Sequence, residues 1–441
     1  MSALPAASVP RSGPVRVVLA SLAGTTVEWY EFFSYGTASA LVFGKLFFPN
    51  HDPLASVLLS LSTFALAFVV RPLGGVLFGH FGDRLGRKSM LVVTLSLMGA
   101  ATFCVGLLPT YASIGVGAPI LLVVLRVVQG LSLGGEYGGA VLMSVEHATE
   151  RRRGVFGAFV NTGAAWGSLL ANLVFLLVSQ LPDAAFAAWG WRVPFLLSAA
   201  LVVMGLVIRV KLAESPDFQA VKARGEIRRA PIGEVLTRHP MRAVLMCLAY
   251  VSAGVTFYVG TVFSLSYGTT HLALDDSVIL QIVLAVNVLT IVGIPFFGWL
   301  SDRTGARKPI FIAGVVGMAV LPYVWFAGLD TRSLGWMLAG SLLLFLPYTA
   351  TYGTMPVFFA HVFPPAVRYT GMSLGYTLGT VVGSALAPII ATWLLGAYGG
   401  WVLVAVYMSL AGVVSAVAAV FLREWRAGRS VTDAPAVEVG S

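Results

Sequence analysis

The chain has 441 residues, 58% hydrophobic and 11% charged, with a formal net charge of +9. Soluble domains average roughly 45–50% apolar and about 25% charged residues, so this composition excludes an ordinary cytosolic globule. The positive balance does not require a nucleic-acid partner if its cations sit in loops facing an anionic leaflet, which is where they fall.

Twelve apolar runs recur along the chain, at 17–43, 54–79, 89–108, 118–142, 155–179, 191–210, 243–266, 278–300, 309–328, 334–360, 370–395 and 401–422. Each is long enough for a hydrocarbon core of about 30 Å at about 1.5 Å per residue. Backbone groups in a membrane must be satisfied within each segment, so the runs predict helices and an all-α integral membrane protein. The ~10-residue alternating segments of an outer-membrane barrel are absent. Residues 1–16 are polar, Pro-containing and basic, and Glu28 and Glu31 interrupt the run that follows. That pattern is not a cleavable signal peptide, and the first helix is expected to stay in the mature chain.

The first run contains VEWYEF at 27–32, which sets Glu28 and Glu31 three residues apart. With entry near residue 17, Glu28 lies ~16 Å along the helix, close to the bilayer midplane. Gly24, Glu28, Glu31 and Tyr35 form one stripe at spacings of 4, 3 and 4 and are expected to line a central cavity. Run 2 brings Arg71, immediately before Pro72, and ends in GHFGDRLGRK at 79–88. Run 4 carries Arg126, Gln129 and Glu136; Glu136 is rotated ~80° from Arg126 on a regular helix and is expected in an inner-side ion pair, with Arg71 as the candidate partner. Arg192, opening run 6, reads as a structural anchor. Run 8 ends in GWLSDRTGARK at 298–308, an echo of 79–88 that puts Asp302 219 positions after Asp83, with Ala306 standing where Arg87 stands in the first copy.

Two six-helix halves therefore repeat one plan. The expected organisation is a tail at 1–16, a first bundle at 17–210, a linker at 211–242, a second bundle at 243–422 and a tail at 423–441. KLAESPDFQAVKARGE, within the linker, reads as partly helical. With both termini in the cytoplasm, 23 of the 28 Lys and Arg lie on the inner side, three (Lys45, Arg192, Arg332) lie outside, and Arg71 and Arg126 lie within helices. The positive-inside rule then sets the topology in a cytoplasmic membrane. Cys104 and Cys247 fall in apolar runs as packing residues, and neither they nor the six histidines suggest a disulfide or a metal site.

Six patches in order along the chain resemble the metabolite:proton symporter family of the major facilitator superfamily: EWYEFFSYG (28–36), RPLGGVLFGHFGDRLGRK (71–88), LRVVQGLSLGGEYGGA (125–140), GWRVPFLLS (190–198), ESPDF (214–218) and FPPAVRYTG (363–371). The resemblance covers essentially all of 17–425. It implies a secondary transporter with twelve helices in two pseudo-symmetric bundles, needing no cofactor beyond the proton gradient, working as a monomer in the lipid bilayer, and not an enzyme. It further implies gating by Asp83, Arg84 and Arg87 after helix 2, with Asp83 near a helix N-terminus, that of helix 11 being the candidate, and a second gate at Asp302 and Arg303. Glu136 joins that gating set.

Intramembrane ionisable groups are costly and face water, a ligand or one another. All five, Glu28, Glu31, Arg71, Arg126 and Glu136, belong to the first half, so proton chemistry is expected there. A buried carboxylate changes protonation as a cation approaches or leaves. Glu31 or Glu28 is thus the candidate proton carrier and Arg126 its expected partner; family members often have Asp at the place of Glu31, which leaves open which of the two titrates. Arg126 and Gln129 match the superfamily's helix-4 motif, and Arg126 or Arg71 could instead grip a substrate carboxylate with a bidentate fork. Tyr35, Tyr258, Asn287, Tyr348, Tyr352 and Tyr376 are candidates for neutral contacts to substrate, or for interhelical hydrogen bonds. NTGAAWGSLLAN in run 5 lacks the proline of the antiporter motif, which favours symport, and no heptads follow the last run, which argues against the coiled-coil osmosensing of proline/betaine members. Proton-driven uptake of a small carboxylated metabolite, such as shikimate or α-ketoglutarate, is the leading expectation. Uptake of betaine or proline, or uncoupled exchange, is the alternative.

Overall fold

The computed structural model describes residues 14–85, 87–134, 144–145, 148–210, 232–364 and 367–425, with backbone alone over most of 79–91. Among the described residues every regular element is helical. The first half contains α1 (Pro14–Ala38), α2 (Pro53–Leu85), α3 (Arg87–Leu107), α4 (Gly117–Ser132), α5 (Arg153–Val178) and α6 (Val193–Val210). The second contains α7 (Pro240–Tyr258), α8 (Asp276–Thr304), α9 (Arg307–Val320), α10 (Leu334–Ala360), α11 (Arg368–Thr380) and α12 (Val402–Phe421). Each corresponds to one of the twelve apolar runs. Eight described helices are long and apolar enough to cross a membrane, and α9 with Pro322–Asp330, joined across a 41° bend at Pro322, makes a ninth. The linker reading KLAESPDFQAVKARGE and Glu136 lie outside the described residues, as do the side chains of Asp83, Arg84 and Arg87.

Periodicity did not signal one feature. Helical turns widen to π geometry at Ser39–Phe43 after α1, at Val259–Phe263 and Tyr267–His271 after α7, and at Val381–Ala385 between α11 and Ala387–Tyr398. A π turn holds extra backbone within an otherwise continuous helix, so the apolar run on either side looks unbroken. Ser39 and Val259 stand at nearly the repeat distance between Asp83 and Asp302, so the two halves widen at equivalent places.

Within the first half α1 packs on α5 and α6, α2 on α4, and α3 on α6; within the second α7 packs on α11 and α12, and α10 on α8 and α9. Two seams join the halves, α5 against α8 and α10, and α2 against α11 with its continuation. Hydrocarbon supplies no hydrophobic drive between helices, so close approach depends on small residues. At the α2–α4 crossing a Cβ on Gly74 would overlap the Leu131 carbonyl, and one on Gly134 would overlap the backbone of Gly74 and Gly75. Gly74→Ala should therefore destabilise the protein by about 1–3 kcal/mol, the usual cost of overpacking, and lower the melting temperature in detergent. Gly335→Ala, where an added Cβ meets nothing within 4 Å, should leave it unchanged.

Candidate functional site

Helix α1 presents two unlike faces. Trp29 and Phe33, one turn apart, point to the seam between the halves, where they line a cavity with Ala164, Tyr250, Phe257, Tyr258, Tyr348 and Tyr352. The cavity is closed down to about 10 Å³, roughly room for one water. Its walls are stacked rings: Phe33 lies 5.8 Å from Tyr258 at 28°, and Tyr348 lies 5.2 Å from Tyr352 at 18°. Glu31 is about 200° around the helix from both Trp29 and Phe33. The stripe of Glu28, Glu31 and Tyr35 thus turns into the first bundle rather than lining the cavity, because the aromatic face fills the seam.

Inside that bundle the charges pair differently from expectation. Arg71 Nη2 lies 3.9 Å from Glu28 Oε1, both side chains being buried, and Arg71 Nε donates to the Leu133 carbonyl at 3.2 Å. The Arg71 guanidinium also sits 5.8 Å from the Tyr376 ring of α11, across the seam. Glu31 is fully buried, with Oε2 at 3.2 Å from Thr102 Oγ1 and Oε1 without a hydrogen-bond partner.

Arg126 is fully buried and, among the described residues, has no carboxylate in ion-pair range. Its Nη2 and Nε donate to the Phe64 carbonyl at 3.0 and 3.4 Å, and its Nη1 donates to Gln129 Oε1 at 3.0 Å. The rings of Phe32, Tyr35 and Phe64 surround the guanidinium, their centres 4.5, 4.1 and 5.1 Å away. The expected Arg126–glutamate pair is therefore replaced by a carbonyl, an amide and three π faces, all donor-compatible groups that cost no second buried charge. Gln129 Nε2 donates to Thr102 Oγ1 at 2.8 Å, and the Tyr35 hydroxyl donates to Thr63 at 2.7 Å. Neither Gln129 nor Tyr35 lines the cavity. Thr102 and Thr63 escaped the sequence reading because a hydroxyl in an apolar helix usually satisfies itself on its own backbone, as both also do here.

In the second half the Tyr258 ring packs on Phe32, Phe64 and Phe68, and its hydroxyl, buried at the cavity wall, has no hydrogen-bond partner. The Tyr352 and Tyr376 hydroxyls lie 3.4 Å apart, and the Tyr250 ring is 4.9 Å from that of Tyr376. Asn287 donates to Ser168 at 3.0 Å and ties α8 to α5, away from the lining. Trp29, Phe33, Tyr250 and Phe257 were not singled out by sequence; the i,i+4 spacing of Trp29 and Phe33 was the signal available.

At the end of the bundle that the charge distribution assigns to the cytoplasm, Asp302 of α8 accepts from the backbone N–H groups of Gly154 and Val155 at 2.8 and 2.9 Å. A carboxylate from one half thus occupies the positive N-terminus of α5 in the other. Arg303 is exposed and lies over Trp299, 5.4 Å from its ring centre. Asn161 of α5 adds a bond to the Tyr352 carbonyl at 2.9 Å. Arg192 donates to the Gly106 and Leu108 carbonyls, fastening α6 to the end of α3.

Residues 16–231 match the family model described as sugar (and other) transporter, and residues 261–438 match that of the major facilitator superfamily. An inner membrane metabolite transport protein, YhjE, of Escherichia coli K12 is 41% identical over 87% of this chain and 88% of its own length. The chain belongs to the major facilitator superfamily. The shikimate transporter of the same organism is 38% identical over 93% of this chain and 94% of its own, and its proline/betaine transporter is 33% identical over 93% and 83%. These relatives place the chain among the metabolite transporters of that superfamily and not among enzymes. In fold it is similar to a D-xylose–proton symporter (TM-score 0.71, 19% identity, 93% of this chain and 97% of that one) and to the partially occluded inward-open xylose transporter of E. coli (0.70, 19%, 95% and 100%). The chain is a multi-pass membrane protein with the twelve-helix, two-bundle architecture of this superfamily.

If Asp302 holds the inner seam shut, Asp302→Asn, which removes the charge and one of two acceptors, should open it several-fold more often. A cysteine introduced by Ala158→Cys, beneath Gly298, in a background with Cys104 and Cys247 replaced by Ser, should then label faster from the inner side. Equal labelling rates would reject the seal.

Proposed function

We propose that this transporter takes up a small monocarboxylate of the shikimate kind across the cytoplasmic membrane, driven by protons and by alternating access, as a monomer with both termini inside. The observation that carries the substrate side is the contrast between the two buried arginines. Arg126 has its guanidinium nitrogens committed to Phe64 and Gln129, whereas Arg71, at the seam and facing Tyr376, is held to Glu28 only at 3.9 Å. A substrate carboxylate is a better-placed bidentate partner for Arg71 than Glu28 is. The Tyr258 hydroxyl, without a partner, and the Tyr352 and Tyr376 hydroxyls offer hydrogen bonds beside it, and the rings pack against the substrate body. Arg71 is the one such guanidinium among the described residues of the membrane core, which favours one carboxylate over two.

The proton side rests on Glu31. A fully buried carboxylate that has, among the described residues, one hydroxyl neighbour and no cation in ion-pair range is far cheaper to hold neutral than charged. Glu31 therefore carries the proton in this closed state, Glu28 serves as the counter-ion that substrate displaces, and the proton gradient is the energy source, with no cofactor. A second reading, uptake of betaine or proline, is favoured by the aromatic walls, since a quaternary ammonium binds π faces, and by the likeness to a proline/betaine transporter.

Uptake into proteoliposomes of labelled shikimate, α-ketoglutarate, succinate, citrate and betaine, with and without an external acid pulse and a protonophore, separates these readings. Shikimate should accumulate only under the gradient. Preference for citrate or α-ketoglutarate would reject the single-guanidinium argument, preference for betaine would select the second reading, and mere equilibration would reject coupling. Glu31→Gln should abolish accumulation while sparing counterflow. Arg71→Lys should raise KM at least tenfold because a point charge replaces a planar fork; an unchanged KM would exclude Arg71 as the carboxylate receptor.

A further inference from the structure

Thr102 is the junction of three hydrogen-bonding contacts: the Met98 carbonyl at 3.0 Å, Glu31 Oε2 at 3.2 Å and Gln129 Nε2 at 2.8 Å. A hydroxyl has one proton to donate and two lone pairs. The Gln129 amide cannot turn over, because Arg126 has only donors and must meet Oε1, leaving Nε2 to donate to Thr102. One lone pair of Thr102 is thus always taken. The single O–H must choose between Met98 and Glu31.

We propose that Thr102 is a positioning residue that relays the protonation state of Glu31 to Gln129 and Arg126 by turning its O–H between Glu31 and the Met98 carbonyl. The relay rests on the reading of Glu31 as proton carrier. With Glu31 protonated, its Oε2–H donates to Thr102, and Thr102 donates to Met98. When the Oε2–H bond breaks, the proton passes to water on the exit side and the electron pair stays on the carboxylate. The Thr102 O–H then turns to Oε2. A chain of aligned donors now runs from Arg126 through Gln129 and Thr102 to an anion, each bond polarising the next. Arg126 is stacked on Phe32 and Phe64, and both rings pack on Tyr258 at the cavity wall. The charge on Glu31 is thereby felt where substrate binds, although the carboxylate faces away from it.

The titratable and charged groups around Glu31 are Glu28, Tyr30 and Tyr35 on α1, Arg71 on α2 and Arg126 on α4. The described side chains of α3 and α6 add only Cys104, exposed on α3, and α5 adds only Arg153 at its first residue.

The test is the pH profile of gradient-driven shikimate accumulation and of counterflow in proteoliposomes of wild type, Thr102→Ser and Thr102→Val. Ser keeps the hydroxyl and should reproduce the wild-type profile. Val keeps the volume but removes the only described hydrogen-bond donor to ionised Glu31, so counterflow should persist while the pH of half-maximal accumulation rises by roughly one unit. Should Thr102→Val fail to insert, Thr102→Cys, a weak donor of similar size, should move the profile the same way. An unmoved midpoint in a variant with intact counterflow overturns the relay and leaves Glu31 as carrier. A wild type indifferent to the gradient overturns both.

Discussion

A guanidinium buried with no counter-ion among the described residues is the constraint around which the first bundle is built. Arg126 carries only donors, so every group that touches it must present electrons: the Phe64 carbonyl, the Gln129 amide oxygen and three aromatic faces. Those demands propagate. Gln129 is oriented by Arg126, Thr102 by Gln129, and Glu31 meets Thr102 instead of a cation. In this arrangement two potential ions stand near each other without touching, with neutral groups between them whose polarisation depends on which ion is charged. A direct salt bridge would be held more rigidly, because separating its partners leaves both charges unpaired.

Much of this molecule was legible in its sequence, and what was not has a physical reason. Twelve apolar runs predict twelve helices because hydrocarbon leaves the backbone no alternative. The doubled DRxG loop is readable because a repeat is a property of order along the chain, and Asp302 lies against a helix N-terminus, the kind of place expected for its counterpart Asp83. The orientation of α1 was not readable. Periodicity gives the angle between Glu31 and Trp29 but not which of them faces the other half, and on α1 both faces are buried, one by rings and one by polar contacts. The partner of Arg126 failed for a related reason: rules of charge pairing do not weigh carbonyls and ring faces, which outcompete a carboxylate when each further buried charge is costly. Thr102 is invisible to any rule that ranks ionisable residues, since its role follows from where its one proton points.

The two halves share a plan but divide the labour. The first holds every described charge within the membrane core; the second supplies neutral rings and hydroxyls, Tyr258, Tyr348, Tyr352 and Tyr376, which close over the cavity. Arg71 belongs to both, bonded to Leu133 on one side and facing Tyr376 on the other. The geometric symmetry persists in the widened turns after α1 and α7, and the turn after α1 meets the segment that follows the turn after α7 across the seam.

The cavity of about 10 Å³ has a thermodynamic corollary. No metabolite fits into it, so the closed form is not the form that binds, and the measured dissociation constant is the intrinsic one divided by the fraction of molecules whose rings stand apart. Ring stacking and the Asp302 cap on α5 thus act as competitors of the substrate although neither touches it. Affinity in this protein is set as much by how firmly the empty transporter shuts as by what the open one offers, and a tighter-binding variant can arise from a weaker seam without any new contact to the ligand.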